Sequence, residues 1–323
     1  MTPIPIPVKP RIIFLVGPTA VGKSETAVCL AKRIKAEIIS CDSMQVYKGM
    51  DIITSKPPIA LRKIVPHHLI STISADKEYN VTRYNKDAVR KIKEILRRGK
   101  TPLIAGGTGL YMSILIDGIF KSAQPCKATR NRLYKQAEEL GSEYLYKRLN
   151  NIDPESASRI HPHDTKRIIR ALEVFEATGQ TISKLRKQRR GLGQEYDIKV
   201  FGLNMPRERL CKRIDERVEK MFSKGLVAEV NRLLKLKLSK TAAYAIGIKE
   251  AKGCLDGLCD LEEAKRLVKR NTRLYAKRQL VWFRKDKRIS WFGVGEKETP
   301  ASVANRIFKK LRTVSWPNLE NIP

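Results

Sequence analysis

Acidic residues are the scarce class in this sequence. Its 323 residues hold 33 Asp and Glu against 65 Lys and Arg, a formal net charge of +32 and a pI near 10.1. Such an excess of one sign repels itself unless a polyanion neutralises it. A metabolite kinase has no need of that, and the excess points to nucleic acid held through its phosphates; a lineage-wide lysine bias would raise the pI in the same way. Long apolar runs are missing as well. Nothing approaches the ~20 residues of a membrane span, so no membrane partner is expected. The opening MTPIPIPVKPR lacks a signal-peptide pattern and reads as a proline-stiffened lead into a strand. Cysteine is thin and dispersed: Cys29, Cys41, Cys126, Cys211, Cys254 and Cys259 form no CxxC, and the last two have no histidine nearby. No zinc site is expected, and the thiols are read as reduced, in a cytoplasm.

What is present begins with residues 12–26, IIFLVGPTAVGKSET. An apolar strand runs into Gly17, and Gly22, Lys23 and Ser24 open a helical pattern. This is G-x-x-x-x-G-K-[ST], the P-loop, in the strand-to-helix context that confirms it. Its glycines let backbone N–H groups turn inward, and the helix N-terminus behind favours negative charge. Lys23 adds a point charge and Ser24 a hydroxyl for Mg²⁺. The pattern specifies an oligophosphate, not the chemistry done on it.

The first half of the chain alternates strand and helix. IIFLVG, AEIISCD and TPLIAGG read as strands, while SETAVCLAKRI and YNKDAVRKIKEILRRG read as helices, the latter with Tyr84, Ala88, Ile92 and Ile95 at helical spacing. That order implies parallel pairing, with ligands beyond the carboxyl ends of the strands, where GPTAVGKS, CDSMQ and GGTGLY lie. From about 121 the pattern is purely helical, and a strand returns near 197–203 within QEYDIKVFGLNM. The reading is therefore α/β: a P-loop NTPase-like parallel-sheet core (1–120), a helical insertion domain (121–190), then core completion with a basic helical C-terminal region (191–323).

Asp42 ends its strand at the same sheet edge as the P-loop, where an acid serves as general base or metal partner; an N-cap is the structural alternative. Thr108 sits among three glycines in GGTGLY, a setting that suits close approach to a ligand or an ordinary glycine turn. Arg217, on the helical stretch RERLCKRIDERVEKM, reads from the sequence alone as part of a solvated face. The histidines of PHH and HPH (His67, His68, His161, His163) read as structural. TRLYAKRQLVWFRK interleaves Arg273, Lys277, Arg278 and Arg284 with Tyr275, Trp282 and Phe283, a pattern suited to RNA or to an amphipathic helix with its rings in the core.

Taken in order, the motifs resemble one family, the tRNA dimethylallyltransferases. GPTAVGKS, DSMQVYKGMDI, VPHHL, GGTGLY, DPESASRIHPHDTKRIIRALEVFEATG, RIDERVEKMFSKGLVAEV, AIGIKEAKG and TRLYAKRQLVWFRKD carry the resemblance across most of the chain. It implies transfer of the dimethylallyl group from dimethylallyl diphosphate to N6 of the adenosine 3′ of the anticodon (position 37), with Mg²⁺ as cofactor. The resemblance implies that Gly17, Pro18, Thr19, Ala20, Val21, Gly22, Lys23 and Ser24 bind the diphosphate, with Ser24 on the metal. It makes Asp42 the base for the adenine amine, and Lys23 and Arg217 the cations that stabilise the leaving group. Asp42, Ser43, Met44, Gln45, Thr108 and Arg130, with Lys166, Arg167, Ile168, Ile169 and Arg170, are implied to meet the tRNA anticodon stem-loop. A monomer is expected. Ile53, Ser71 and Ile248 depart from the family pattern and bear on local loop geometry and RNA contacts. On the residues alone, a P-loop kinase, a transferase prenylating free AMP and an RNA-binding GTPase or ATPase-like module stay open.

Overall fold

The structure, a computed structural model, describes residues 9–120 and 127–313. Most of the proline-stiffened lead, Cys126 and the expected insertion start at 121 lie outside the described residues. Six strands form one sheet: β1 (Arg11–Val16), β2 (Ala36–Ser40), β3 (His67–His68), β4 (Thr101–Gly106), β5 (Asp197–Asn204) and β6 (Ile289–Gly293), in the order β3-β2-β4-β1-β5-β6. Every pairing is parallel. Helices cover both faces of such a sheet, so its strands are buried on both sides and read as continuous apolar runs. Accordingly Ile12, Ile13, Phe14, Leu15 and Val16 of β1 are all at 0% exposure. From β1 the chain crosses to β2, leaving room for β4 between them, and later returns to β5 on the other flank of β1. Val16 is in register with Gly106 on one side and Gly202 on the other. The direction of winding thus reverses at β1, and a crevice opens beyond its carboxyl end.

The helical periods locate the packed faces. Helix Val81–Arg97 buries Tyr84, Ala88, Ile92 and Ile95, and the Asn80 side chain caps it by accepting from the Arg83 N–H. Helix Arg207–Ser223 buries Leu210, Ile214, Val218 and Phe222. Its exit is made by Gly225 at φ 92°, a left-handed position that glycine takes without penalty. The chain divides into two compact units, one built from 1–116 and 195–323, the other spanning Asp117–Gln194. The division falls a few residues outside the expected 121–190 at each end. The second unit is helical around Leu133, Leu145, Leu149, Ile168 and Leu172. Its buried Asp153 accepts from Ser156 N–H, Ser156 Oγ and Ser183 N–H, tying three helices' ends together.

Two strands are additional to the sequence reading. β3 is only two residues long, too short for a period. β6 is an edge strand with one face wet, and only Ile289 of its five residues is buried.

Candidate active site

The P-loop leaves β1 at Gly17. Ala20 takes φ 64° and Gly22 φ 99° before helix Lys23–Arg33 begins, so successive N–H groups turn into a concavity at a helix N-terminus. The Lys23 ammonium folds onto its own loop and donates to the Pro18 carbonyl at 2.6 Å. Burial, and then the neighbouring Arg217 guanidinium, push its pKa down to about 7.

Asp42 and Thr108 stand on adjacent loops. Cys41 N–H donates to the Ala105 carbonyl at 2.8 Å and Thr108 N–H to the Cys41 carbonyl at 3.0 Å, stitching the end of β2 to the end of β4. The approach is so close that a Cβ on Gly106 would lie 2.1 Å from the Cys41 oxygen. Thr108 Oγ1 accepts from Ser43 N–H at 3.2 Å, and Asp42 Oδ1 accepts from Met44 and Gln45 N–H at 2.9 and 3.3 Å. This is an Asx turn; it orients the carboxylate and leaves Oδ2 without a hydrogen-bond partner among the described residues. Gln45 in turn accepts from Ser40 Oγ at 3.0 Å. Burial pushes the Cys41 thiol up to about 12, so a thiolate takes no part here. Burial, with Asp42 nearby, also raises Tyr275, which lines the cleft as a neutral phenol.

Arg217 belongs to this site and not to a solvated face. Its Nη1 donates to Thr19 Oγ1 at 2.9 Å, its Nε to Ser55 Oγ at 2.8 Å and its Nη2 to the Ser55 carbonyl at 3.3 Å. The turn carrying Ser55 is held from below by Glu229, a buried carboxylate on helix Leu226–Leu234. Glu229 accepts from Asp51, Ile52 and Ile53 N–H at 2.9–3.1 Å. Lys56 Nζ donates to Asp51 and to Ser71 Oγ, both at 2.8 Å. Ser71 therefore has a hydrogen-bonding role in the very loop where it departs from the family pattern. Ile53 and Ile248 are buried at 7% and 4% exposure and fill apolar space.

One cleft of about 570 Å³ is lined by Thr19, Lys23, Ser24, Asp42, Gln45, Ser55 and Arg217 among others, while Ser43, Met44 and Thr108 are not among its lining residues. Lining residues that had no place in the sequence reading of the site include Ser55, Lys56, Arg213 and Gln279, and Tyr275 of the aromatic and basic helix lines it too. Arg213 sits one helical turn before Arg217, a spacing that marks it. Tyr275, Gln279 and Trp282 fall on one face of helix Leu261–Arg284 and lean on the GGTG loop: a Cβ on Gly107 would meet Gln279, one on Gly109 would meet Trp282. Gln279 between aromatics was the available signal. Phe283 is fully buried in the core.

Arg130 and Lys166–Arg170 belong to the second unit. There Arg130 Nη2 and Arg170 Nη1 both donate to Glu173 Oε2 at 2.8 Å. Ile168 and Ile169 are buried in that unit's own core at 0% and 1% exposure. The helix period turns both inward, and Lys166, Arg167 and Arg170 are the members of the segment whose side chains reach its surface.

Fold and site together define an α/β protein with a glycine-rich loop of the P-loop pattern and a carboxylate-bearing loop beside it. The IPP transferase family model matches residues 45–286 and an isopentenyl transferase model residues 10–67, and the chain belongs to the IPP transferase family. A tRNA dimethylallyltransferase of Carboxydothermus hydrogenoformans is 48% identical over 92% of this chain and 96% of its own length. The crystal structure of the Bacillus halodurans tRNA isopentenylpyrophosphate transferase is 38% identical, covering 94% of this chain and 98% of that one with a TM-score of 0.68. A eukaryotic dimethylallyltransferase crystallised while acting on tRNA is 28% identical, covering 97% of this chain and 82% of that one, with a TM-score of 0.80.

Proposed function

We propose that this chain transfers the dimethylallyl group of dimethylallyl diphosphate to N6 of the adenosine immediately 3′ of the anticodon of tRNA, releasing diphosphate. The observation that carries the reading is the convergence of Arg217 on Thr19 of the P-loop in the cleft that also holds Asp42. A cationic leaving-group clamp and a carboxylate base thus share one cavity. The allylic C–O bond breaks with its electron pair going to the diphosphate oxygen. The P-loop N–H groups, Lys23 and Arg217 meet that charge where it develops. The N6 lone pair forms the new C–N bond, and Asp42, oriented by Met44 and Gln45 N–H, accepts the proton that N6 loses.

Ser24 fits Mg²⁺: its hydroxyl offers oxygen, and this ion takes few protein ligands alongside waters and substrate phosphates. When bound it supplies additional neutralisation of the diphosphate. In the same reading Gln45, which lines the cleft, and Thr108, Ser43 and Met44, hydrogen-bonded around Asp42, form the acceptor side, and Arg130, Lys166, Arg167 and Arg170 meet the stem-loop. Action as a monomer in the cytoplasm belongs to the reading; the thiols Cys29, Cys41, Cys211, Cys254 and Cys259, all free, support the compartment. The test is mass spectrometry of tRNA nucleosides after incubation with dimethylallyl diphosphate. N6-(dimethylallyl)adenosine is expected in the anticodon loop, and prenylated free AMP with unmodified tRNA would refute the assignment.

A further inference from the structure

The P-loop and the Gly106–Gly109 loop leave neighbouring strands, β1 and β4, side by side. A side chain from far along the chain bridges them. Gln279, 6% exposed, accepts from Thr19 N–H through Oε1 at 2.8 Å and donates from Nε2 to the Gly107 carbonyl at 2.9 Å. Both ends of this bridge continue into the reacting groups. Thr19 Oγ1 accepts from Arg217 at 2.9 Å. Thr108, next to Gly107, accepts from the N–H of Ser43 at 3.2 Å, and Ser43 adjoins Asp42. The contacts run from the leaving-group clamp through Thr19 and Gln279 to the loop of the proposed base.

The chemistry of the bridge is selective. A primary amide offers a donor and an acceptor with no net charge. A carboxylate in its place would set an acceptor against the Gly107 carbonyl and a negative charge beside a bound diphosphate. A thioether or alkyl chain would leave a largely buried N–H and C=O without partners, the costly way to lose a hydrogen bond. The backbone opposite is cut to fit, since a Cβ at Gly107 would lie 2.1 Å from Gln279 Nε2.

We infer that Gln279 is a positioning residue that couples the two substrate sites, so that occupancy of the diphosphate cradle raises affinity for the RNA acceptor and the reverse. The inference rests on the reading of the cleft as a diphosphate and tRNA site. A diphosphate draws Arg217 and the P-loop N–H groups toward itself. Thr19 is bonded to Arg217 through its hydroxyl and to Gln279 through its N–H, so its position is passed to Gly107 and Thr108. Such coupling is reciprocal by thermodynamic necessity. It appears only as a ratio of affinities, which a brace with no ligand-dependent role would leave at one.

The experiment uses the full chain, a thio analogue of dimethylallyl diphosphate whose bridging sulfur resists transfer, and an anticodon stem-loop RNA. In the wild type, saturating analogue is expected to tighten RNA binding by about 5- to 20-fold, within the usual range of coupling. In Gln279→Met that ratio should fall to near one, whatever the change in the affinity of each ligand measured alone. Gln279→Glu, which keeps shape and the partner of Thr19, should weaken the analogue more than the RNA and also lose the ratio; it decides the matter if thermal melting finds Gln279→Met unfolded. A ratio preserved in the folded variants, or a ratio of one in the wild type with both ligands bound, overturns the inference alone. Failure of both ligands to bind the wild type overturns the reading of the cleft and the inference with it.

Discussion

Asp42 is held in place by its own loop, with one carboxylate oxygen engaged by Met44 and Gln45 N–H. Asp42→Asn keeps an acceptor for those donors and removes the capacity to take a proton. Turnover should fall by about two to four orders of magnitude, the range for acid–base groups, with RNA affinity near wild type in a filter-binding or fluorescence titration. Near-normal turnover would remove Asp42 from the proton transfer. Lys23 makes a pH prediction. With its pKa lowered to about 7 in the free protein, it is largely neutral at pH 8. A diphosphate beside it favours the ammonium, so binding takes up a proton, and affinity falls as pH rises above 7. Between pH 7.5 and 9 the association constant of a diphosphate should decline by up to roughly tenfold per pH unit. Titration calorimetry in buffers of different ionisation enthalpy should register the uptake. Lys23→Met should abolish both effects, and a pH-independent constant in the wild type would refute the shifted lysine.

The turn at residues 51–55 shows how an element far from the chemistry serves it. It carries Ser55, which takes two of the three hydrogen bonds of Arg217, and it rests on three backbone N–H bonds to Glu229. Glu229→Ala leaves those N–H groups without their acceptor in a site where the carboxylate is 3% exposed. The cost should be roughly 2–4 kcal/mol. That corresponds to a drop in melting temperature of about 5–10 °C for a unit of this size. Because Ser55 then loses its anchor, kcat/KM for dimethylallyl diphosphate should fall further than RNA affinity does. Glu229→Gln retains one carbonyl acceptor and should lie between. An unchanged melting curve for the alanine variant would show that the turn stands without Glu229.

At the scale of the molecule the +32 charge becomes a measurable footprint. Each phosphate neutralised releases counterions, so six or so contacts predict a slope of log affinity against log salt on the order of −4 to −6 for the stem-loop. On the proposed function, in which a few groups of a cradle hold dimethylallyl diphosphate, its affinity should vary much less. Reversing charge at Arg273 and Lys277, on the basic face of helix Leu261–Arg284, should flatten the RNA slope and leave the small-substrate constant unchanged. A salt-independent RNA constant would assign the charge to lineage bias and the binding to base and shape contacts.

Local spacing was enough to read the α/β class, four of the six strands, the P-loop and the buried faces of helices Val81–Arg97 and Arg207–Ser223. A strand–glycine–helix junction or an i, i+4 period is written within a few residues of itself. The edge strands β3 and β6 were not legible, since two residues have no period and a half-wet edge has a weak one. The assembly of the site was decided by the tertiary structure. Arg217 meets Thr19 across 198 positions, Gln279 meets Thr19 across 260, and Glu229 meets Ile53 across 176. Hydrogen bonds between residues so far apart leave no interval to recognise, and a guanidinium on a polar helix face looks the same in water as over a phosphate cradle. Winding of the sheet about β1 is what brings these groups to one crevice. The sequence determined which groups the chain carries, and the parallel topology determined which of them meet.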